Sequence, residues 1–244
     1  MLGNEVDGTM AGETNMYDAI TEYFNKRNGE DFDSRTRSLG RMQAIDQMVA
    51  IAKPYLSREG AVSIDLGCGT GLFAETVGVR SIIGVDFSPS LLNSARRRMD
   101  TVWQQNIFDL QLANNSVDNI VSLFVIDDYP DEKKRMFFRQ VCSFLKPHGH
   151  FFFAAYSPKD ERMGTRREAI KAKAKARDSL EVYLEDASFY EDTLQECGFA
   201  IDMSETIKTN GVLRIRRQVI RLKREFILVV ARKLQNMKHS TAQP

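Results

Sequence analysis

Three glycines, Gly67, Gly69 and Gly71, stand at alternate positions in the segment VSIDLGCGTG. A strand-like apolar run leads straight into them. Glycine accepts the positive φ angles of a sharp strand-to-helix turn, and without Cβ it lets a bound molecule touch the backbone. Dinucleotide enzymes use the same device at GxGxxG spacing. Here the spacing is GxGxG, and Asp65 stands at the strand end just before the turn. A carboxylate in that place repels a pyrophosphate and attracts a cationic amino-acid group, directly or through water. Asp86 closes a second apolar run, SIIGVDF. In a parallel sheet that position lies beside the first turn, where an acid can accept hydrogen bonds from both hydroxyls of a ribose. Glycines and acids together point to a ribose-bearing zwitterion rather than a diphosphate. Structural alternatives stand beside each reading: Asp65 as a tie for the turn's backbone amides, Phe87 and Ile107 as ordinary core, and Cys68 as a small filler that no neighbour in sequence activates.

The elements that must position these groups alternate. AVSIDLG reads as a strand and LFAETVG as a helix. SIIGVDF reads as a second strand, followed by PSLLNSARRRM, a helix opened by Ser88 and Pro89 as N-cap and first turn. A third strand lies around Val102 to Ile107 and a fourth in VDNIVSLFVI. EKKRMFFRQVCSFL is a helix and GHFFFAAYS a fifth strand. Such alternation predicts a parallel sheet covered on both faces. Two helices precede the first strand: one with Tyr17, Ile20, Tyr23 and Phe24, and one running from Leu39 through Met42, Ile45, Met48, Val49 and Ala52 until Pro54 interrupts it. The later part contains DASFYEDTLQECGF, an amphipathic helix closed by Gly198. Two last strands follow, FAIDMSETI and REFILVVAR, separated by the basic stretch LRIRRQVIRLK. The expected organisation is a flexible tail over 1–12 and a single domain over 13–236. Within the domain lie a helical cap (13–58), a core (61–157), an insertion and helix (159–198) and the final strands (199–234); a second tail spans 237–244.

Lysine plus arginine (34) nearly cancel aspartate plus glutamate (33) among 244 residues. With no global field to gather polyanions or anionic membranes, the balance speaks against nucleic acid as partner, although 159–177 and 214–224 are locally basic. No apolar run approaches the roughly 18 to 20 residues of a membrane span, and the first twenty residues lack the order of a signal peptide, which predicts a cytoplasmic protein. Three scattered cysteines and three histidines supply neither a disulfide framework nor a metal cluster, so no metal is expected.

IDLGCGTG, GVDFSPSLLNSAR and NIFDLQLANNSVDNIVS, in that order, resemble the successive motifs of class I, Rossmann-like S-adenosylmethionine-dependent methyltransferases of the small-molecule type. The resemblance covers roughly 60–155. It implies an α/β three-layer sandwich whose seven-stranded, mostly parallel sheet ends in an antiparallel strand. It also implies S-adenosylmethionine as cofactor and S-adenosylhomocysteine as product. Carried over by residue, Asp65, Gly67 and Gly69 hold the methionine end, with Cys68 and Gly71 also cofactor-binding in the same loop, Asp86 the ribose, and Phe87 one face of adenine. Asn106 stands where the family usually has an aspartate accepting from the adenine amino group. Ile107 offers backbone, and Leu123 its carbonyl to the ammonium.

The cofactor motifs predict no catalytic residue, because transfer from a sulfonium mainly requires alignment and exclusion of water. By resemblance, the elements overhanging the cofactor offer Tyr17, Tyr23, Asp128 and Tyr129 to the acceptor, with Asp127 and Tyr156 as catalytic candidates. The two aspartates also read as a solvated loop or helix cap. His148 and His150 fall in a turn that the family places away from the methyl donor. A small-molecule methyl acceptor is the expected partner: a quinone, porphyrin, carrier-linked acyl or other biosynthetic intermediate. Alternatives are an RNA or protein acceptor, a non-catalytic protein that binds the cofactor within a complex, and a dinucleotide oxidoreductase. Against the first of these, strand four reads SLFVIDDYP and lacks the Asn/Asp-Pro-Pro-aromatic signature.

Overall fold

The computed structural model describes residues 20–26, 28–163, 183–215 and 218–235. Tyr17, both expected tails and most of the basic stretch 159–177 lie outside them. Among the described residues three helices, not two, precede the sheet: α1 (20–25), α2 (Gly29–Ser38) and α3 (Arg41–Leu56). The additional helix lies in the polar stretch, where Phe32 is nearly the only apolar side chain and no periodicity could show it. End chemistry stabilises it instead. Asn28 caps it by accepting from the Asp31 amide at 2.8 Å, acids fill the first turn, basic residues fill the last, and Arg35 pairs with Asp31 one turn back. Pro54 does not end α3; it sits in the last turn, and the helix runs on to Leu56.

Seven strands form one sheet: β1 (Ser63–Leu66), β2 (Ile83–Asp86), β3 (Thr101–Gln104), β4 (Val117–Leu123), β5 (Leu145–Tyr156), β6 (Phe199–Ile215) and β7 (Gln218–Lys233). Their order is β3-β2-β1-β4-β5-β7-β6, and β7 alone runs against its neighbours. This is the α/β Rossmann-like plan the motifs imply. The KPHGH turn is absorbed into β5 as an irregularity: His148 adopts φ 65°, and the register against β4 shifts between Val117 and Asn119. Both histidines lie at the opposite end of the strand from the glycine turn.

Alternation along the strands divides two cores. Phe151, Phe153 and Ala155 face α6 (Asp131–Phe144) and α7 (Ala187–Glu196), while Phe152, Ala154 and Tyr156 face α3, α4 (Leu72–Val77) and α5 (Pro89–Arg98). Ile45, Met48 and Leu56 bury the apolar stripe of α3 in the second core, at about 1.5–3 kcal/mol for each large side chain.

The basic stretch between the expected last strands is not a separator. Leu213 pairs with Ile220 and Gly211 with Leu222, so β6 and β7 continue as a hairpin arm beyond the sheet. Leu222 and Arg224 turn to the protein while Arg221 and Lys223 face solvent, the two-residue alternation of a strand. Arg224 is fully buried. Its Nε donates to Asp160 at 2.8 Å, and its guanidinium also donates to the carbonyl of Leu39 at the α2–α3 junction. Replacing Arg224 by methionine leaves Asp160 buried without its cation and should cost about 3–5 kcal/mol. Urea denaturation checks this, and adding Asp160→Asn should recover part of the loss.

Candidate functional site

The glycine turn folds back on β2. The amides of Gly67 and Cys68 donate to the carbonyl of Val85 at 2.7 and 3.0 Å, and the amide of Gly69 donates to Asp86 Oδ2 at 2.9 Å. The other oxygen of Asp86 accepts from the Ser88 amide at 2.8 Å. The acid that ties down the turn is therefore Asp86, not Asp65. Gly67, Gly69 and Gly71 all take positive φ, 79°, 54° and 75°. A Cβ on Gly67 would stand 2.4 Å from Val125 Cγ2, whereas one on Gly69 would meet nothing nearer than Phe32 at 3.8 Å. The space over Gly69 is open, and it is there that a ligand can approach the backbone.

Asp65 and Asp86 converge on this space, both buried. Among the described residues the Asp65 carboxylate accepts no hydrogen bond. Burial, and then the neighbouring Asp86 charge, push it up to about 7. Burial also pushes Asp86 up to about 6, against the amides of Ser88, Gly69 and Phe87 that favour its ionised form. Burial first, then both acids, raise the Cys68 thiol well above its ordinary range, so it stays protonated and fills space beneath the turn.

A cavity lies over the turn, bounded by Asp65, Gly67, Cys68, Gly69, Asp86, Phe87, Ile107 and Leu123. Gly71 instead N-caps α4 from below, its Cα facing Ala95 and Met99. Asn106 is not on the cavity wall; its Oδ1 accepts from the Phe108 amide at 3.0 Å and caps the short 3-10 turn Ile107–Asp109. Tyr129 lies on this wall, packed edge-on against Phe108.

The roof comes from residues that sequence reasoning passed over: Ile20 and Phe24 of α1, Phe32 and Thr36 of α2, and Arg41 and Ile45 of α3. It is pinned to the turn by Asp33, which accepts from the Thr70 hydroxyl at 2.5 Å and pairs with Arg98 at 2.7 Å. Arg41 donates to the Thr36 hydroxyl at 2.7 Å and lies over the Phe32 ring, with its Nε buried and unpartnered. A charge on an otherwise apolar helical stripe was the signal that could have found it.

Beyond Phe24, Phe32, Arg41 and Phe124 the cavity adjoins a second chamber. Tyr23, Asp127, Asp128 and Tyr156 line that chamber, together with Arg35, Arg162 and Met163. Phe124, at φ 62°, occupies a backbone region costly for a bulky residue, and its ring packs on Tyr156 at 5.2 Å. Asp127 and Asp128 are neither a solvated loop nor the cap of α6: both are buried, and Pro130 holds the cap position. Asp127 Oδ1 accepts from the Tyr156 amide at 3.0 Å, and its carbonyl accepts from the Tyr183 amide at 2.8 Å.

Residues 64–153 match a family model described as a methyltransferase domain. The match spans the strands and the turn that build the cavity, from β1 into β5. Solved structures agree on the fold. Magnesium protoporphyrin IX methyltransferase from Synechocystis PCC 6803, with bound S-adenosylhomocysteine, is 19% identical with a TM-score of 0.61, covering 88% of this chain and 97% of that one. A SAM-dependent methyltransferase from Methanosarcina mazei is 17% identical with a TM-score of 0.58, covering 76% and 98%. A structure from echinomycin biosynthesis, concerned with conversion of a disulfide bond into a thioacetal group, is 20% identical with a TM-score of 0.59, covering 79% and 82%. None of the curated proteins matches the sequence.

A domain of this type takes S-adenosylmethionine as methyl donor, and the residues present fit it. A buried acid without a hydrogen bond suits the ammonium group, and open backbone over Gly69 suits close approach.

Two predictions follow for the methyltransferase domain. Gly67→Ala forces a side chain into a left-handed φ, at roughly 1–2 kcal/mol, and drives it into Val125. S-adenosylhomocysteine binding should fall by at least about tenfold, whereas Gly78→Ala, with equal φ strain and nothing within 4 Å, should leave binding intact. The second concerns pH. Asp65 and Asp86 hold protons in the folded chain that the unfolded chain has already released, so their stabilisation is complete below about pH 4 and is lost as pH rises through 6 and 7. A cation placed against them reverses the dependence. Cofactor affinity should rise across that window with proton release, read by calorimetry in two buffers of different ionisation enthalpy, and Asp65→Asn should flatten the profile.

Proposed function

We propose that this chain transfers the methyl group of S-adenosylmethionine to a small-molecule acceptor held in the second chamber. The observation that carries the reading is that the aromatic-walled chamber shares Phe24, Phe32, Arg41 and Phe124 with the cavity over the glycine turn, so the two spaces adjoin. When bound, S-adenosylmethionine supplies an electrophilic methyl: the acceptor's lone pair forms the new bond as the carbon–sulfur bond breaks and its electron pair returns to sulfur.

The chain's own residues then have these roles. Asp65 takes the ammonium group, with the Leu123 carbonyl beside it. Asp86 keeps the turn folded through the lone pairs already engaged and turns its remaining ones to the ribose hydroxyls. Phe87 and Ile107 enclose adenine, and Tyr129 extends that wall. Asn106 contributes by shaping the 3-10 turn that presents the Ile107 backbone. Arg41, with its buried unpartnered Nε at the boundary of the two spaces, faces the methionine carboxylate. Tyr23, Asp128 and Tyr156 line the acceptor side. Asp127 acts as a positioning residue, holding the end of β5 through the Tyr156 amide. Exclusion of water and alignment carry the rate, and no dedicated base is assigned.

A polymer acceptor draws on the hairpin arm, where Val219, Ile220, Arg221 and Lys223 are exposed. Strongly salt-dependent retention of RNA by the full chain would favour it.

Calorimetric titration with S-adenosylmethionine, S-adenosylhomocysteine and NADH tests the central reading. Saturable binding of the first two without NADH is expected, because the acids that attract a sulfonium amino acid repel a diphosphate. Preference for NADH, or no binding of S-adenosylhomocysteine, would overturn it.

A further inference from the structure

The second chamber has a chemical character that the cofactor does not explain. Arg162 lines it, part-buried, and among the described residues it forms no ion pair or hydrogen bond. The neighbouring arginines have partners, and Arg41 donates to the Thr36 hydroxyl at 2.7 Å. Arg35 pairs with Asp31 at 3.0 Å, and Arg224 pairs with Asp160 at 2.8 Å. Of the chamber's two acids, Asp127 accepts from the Tyr156 amide through Oδ1, and Asp127 and Asp128 each take part in further interactions. Burial, with the Arg41 and Arg224 charges adding to it, holds the Arg162 guanidinium down to about 10, while the nearby Tyr156 and Tyr23 hydroxyl groups act the other way. It still carries full charge at neutral pH. A part-buried guanidinium beside two other cations, with no ion-pair partner among the described residues, costs free energy that an anionic ligand would offset.

The rest of the wall says what that ligand looks like. Phe32, Phe124, Tyr23 and Tyr156 give ring faces and edges around the same space, suited to a flat, unsaturated body. The sulfonium of the methyl donor adds another positive charge next door, which again favours an anion.

We infer that the acceptor is a small, flat, apolar molecule carrying an oxyanion, a carboxylate or a phosphate, and that Arg162 binds that oxyanion. A guanidinium presents two parallel N–H donors that match either group. The inference rests on the proposed methyl transfer, since it assigns the acceptor of that same site.

The test uses the full chain saturated with S-adenosylhomocysteine. Calorimetric titrations compare 4-hydroxybenzoate with the uncharged 4-hydroxybenzamide, and phenyl phosphate with phenol. At least one anion should bind, about tenfold or more tighter than its neutral counterpart, the ordinary scale for a charge-assisted pair. Arg162→Gln should abolish that difference, Arg162→Lys should keep part of it, and both variants should bind S-adenosylhomocysteine within about twofold of the parent. Whichever anion is preferred separates the carboxylate from the phosphate source. Equal affinity for charged and uncharged probes, absence of anion binding, or an unchanged anion preference in Arg162→Gln would overturn the inference. The probe pairs on the parent protein decide the matter even where a variant fails to fold. Failure of S-adenosylhomocysteine itself to bind would instead overturn the proposed function, and the inference with it.

Discussion

The bond from the Gly69 amide to Asp86 Oδ2 is the constraint on which the rest of the site depends. It joins the end of one strand to the turn after its neighbour, in a place too buried for water to substitute. With the two amides given to Val85, it fixes the turn's shape before any ligand arrives. The result is a carboxylate group with capacity left over and an acid, Asp65, with none of its capacity used. Two like charges in a dry space are unfavourable alone and favourable around a cation. Folding itself thus prepares a place where a positively charged ligand gains more than it would in water.

Around that centre each layer fixes the next. Sheet order brings the C-terminal ends of β1, β2 and β4 together, and the reversal of strand order at β1 and β4 opens the crevice in which ligands of such sheets bind. The left-handed Phe124 just beyond β4 lines both spaces and stands at the boundary between them. Asp33 then locks the roof to the same turn through Thr70 and Arg98.

What could be read from sequence was what depends on local spacing. GxGxG after a β-rich run, Asp65 before it, and an acid ending the next run each state their own geometry, and the alternating apolar pattern states the sheet. What could not be read depends on chain segments meeting at a distance. Helix α2 has Phe32 but no stripe, so its existence lay in its caps and its importance in Asp33 reaching Thr70. Asn106 has the right neighbours in sequence, yet its side chain closes a local turn, a competition between backbone capping and ligand binding that spacing cannot decide. Arg162 sits in a run of charges that reads as solvated surface, and only the fold folds it inward. The arm of β6 and β7 looked like a basic loop because its alternation of arginine with aliphatic residues is weak until Arg224 is seen turned inward.

The roof is fastened at both ends, and this has a kinetic meaning. One fastening is Asp33 on the glycine turn. The other is the hairpin arm, where Arg224 holds the Leu39 carbonyl, Thr209 donates to the Gly40 carbonyl at 3.1 Å, and Gly211 is so close to Leu39 that a Cβ would stand 2.9 Å from its oxygen. Lifting α2 and α3 would break a buried ion-pair network, whereas the ties of α1 among the described residues include the buried Ile20 and the Phe24 ring, which rests edge-on at 6.0 Å from Phe87. Opening within a fold starts where the ties are fewest, so the two fastenings make α2 and α3 the parts of the roof that hold their place longest.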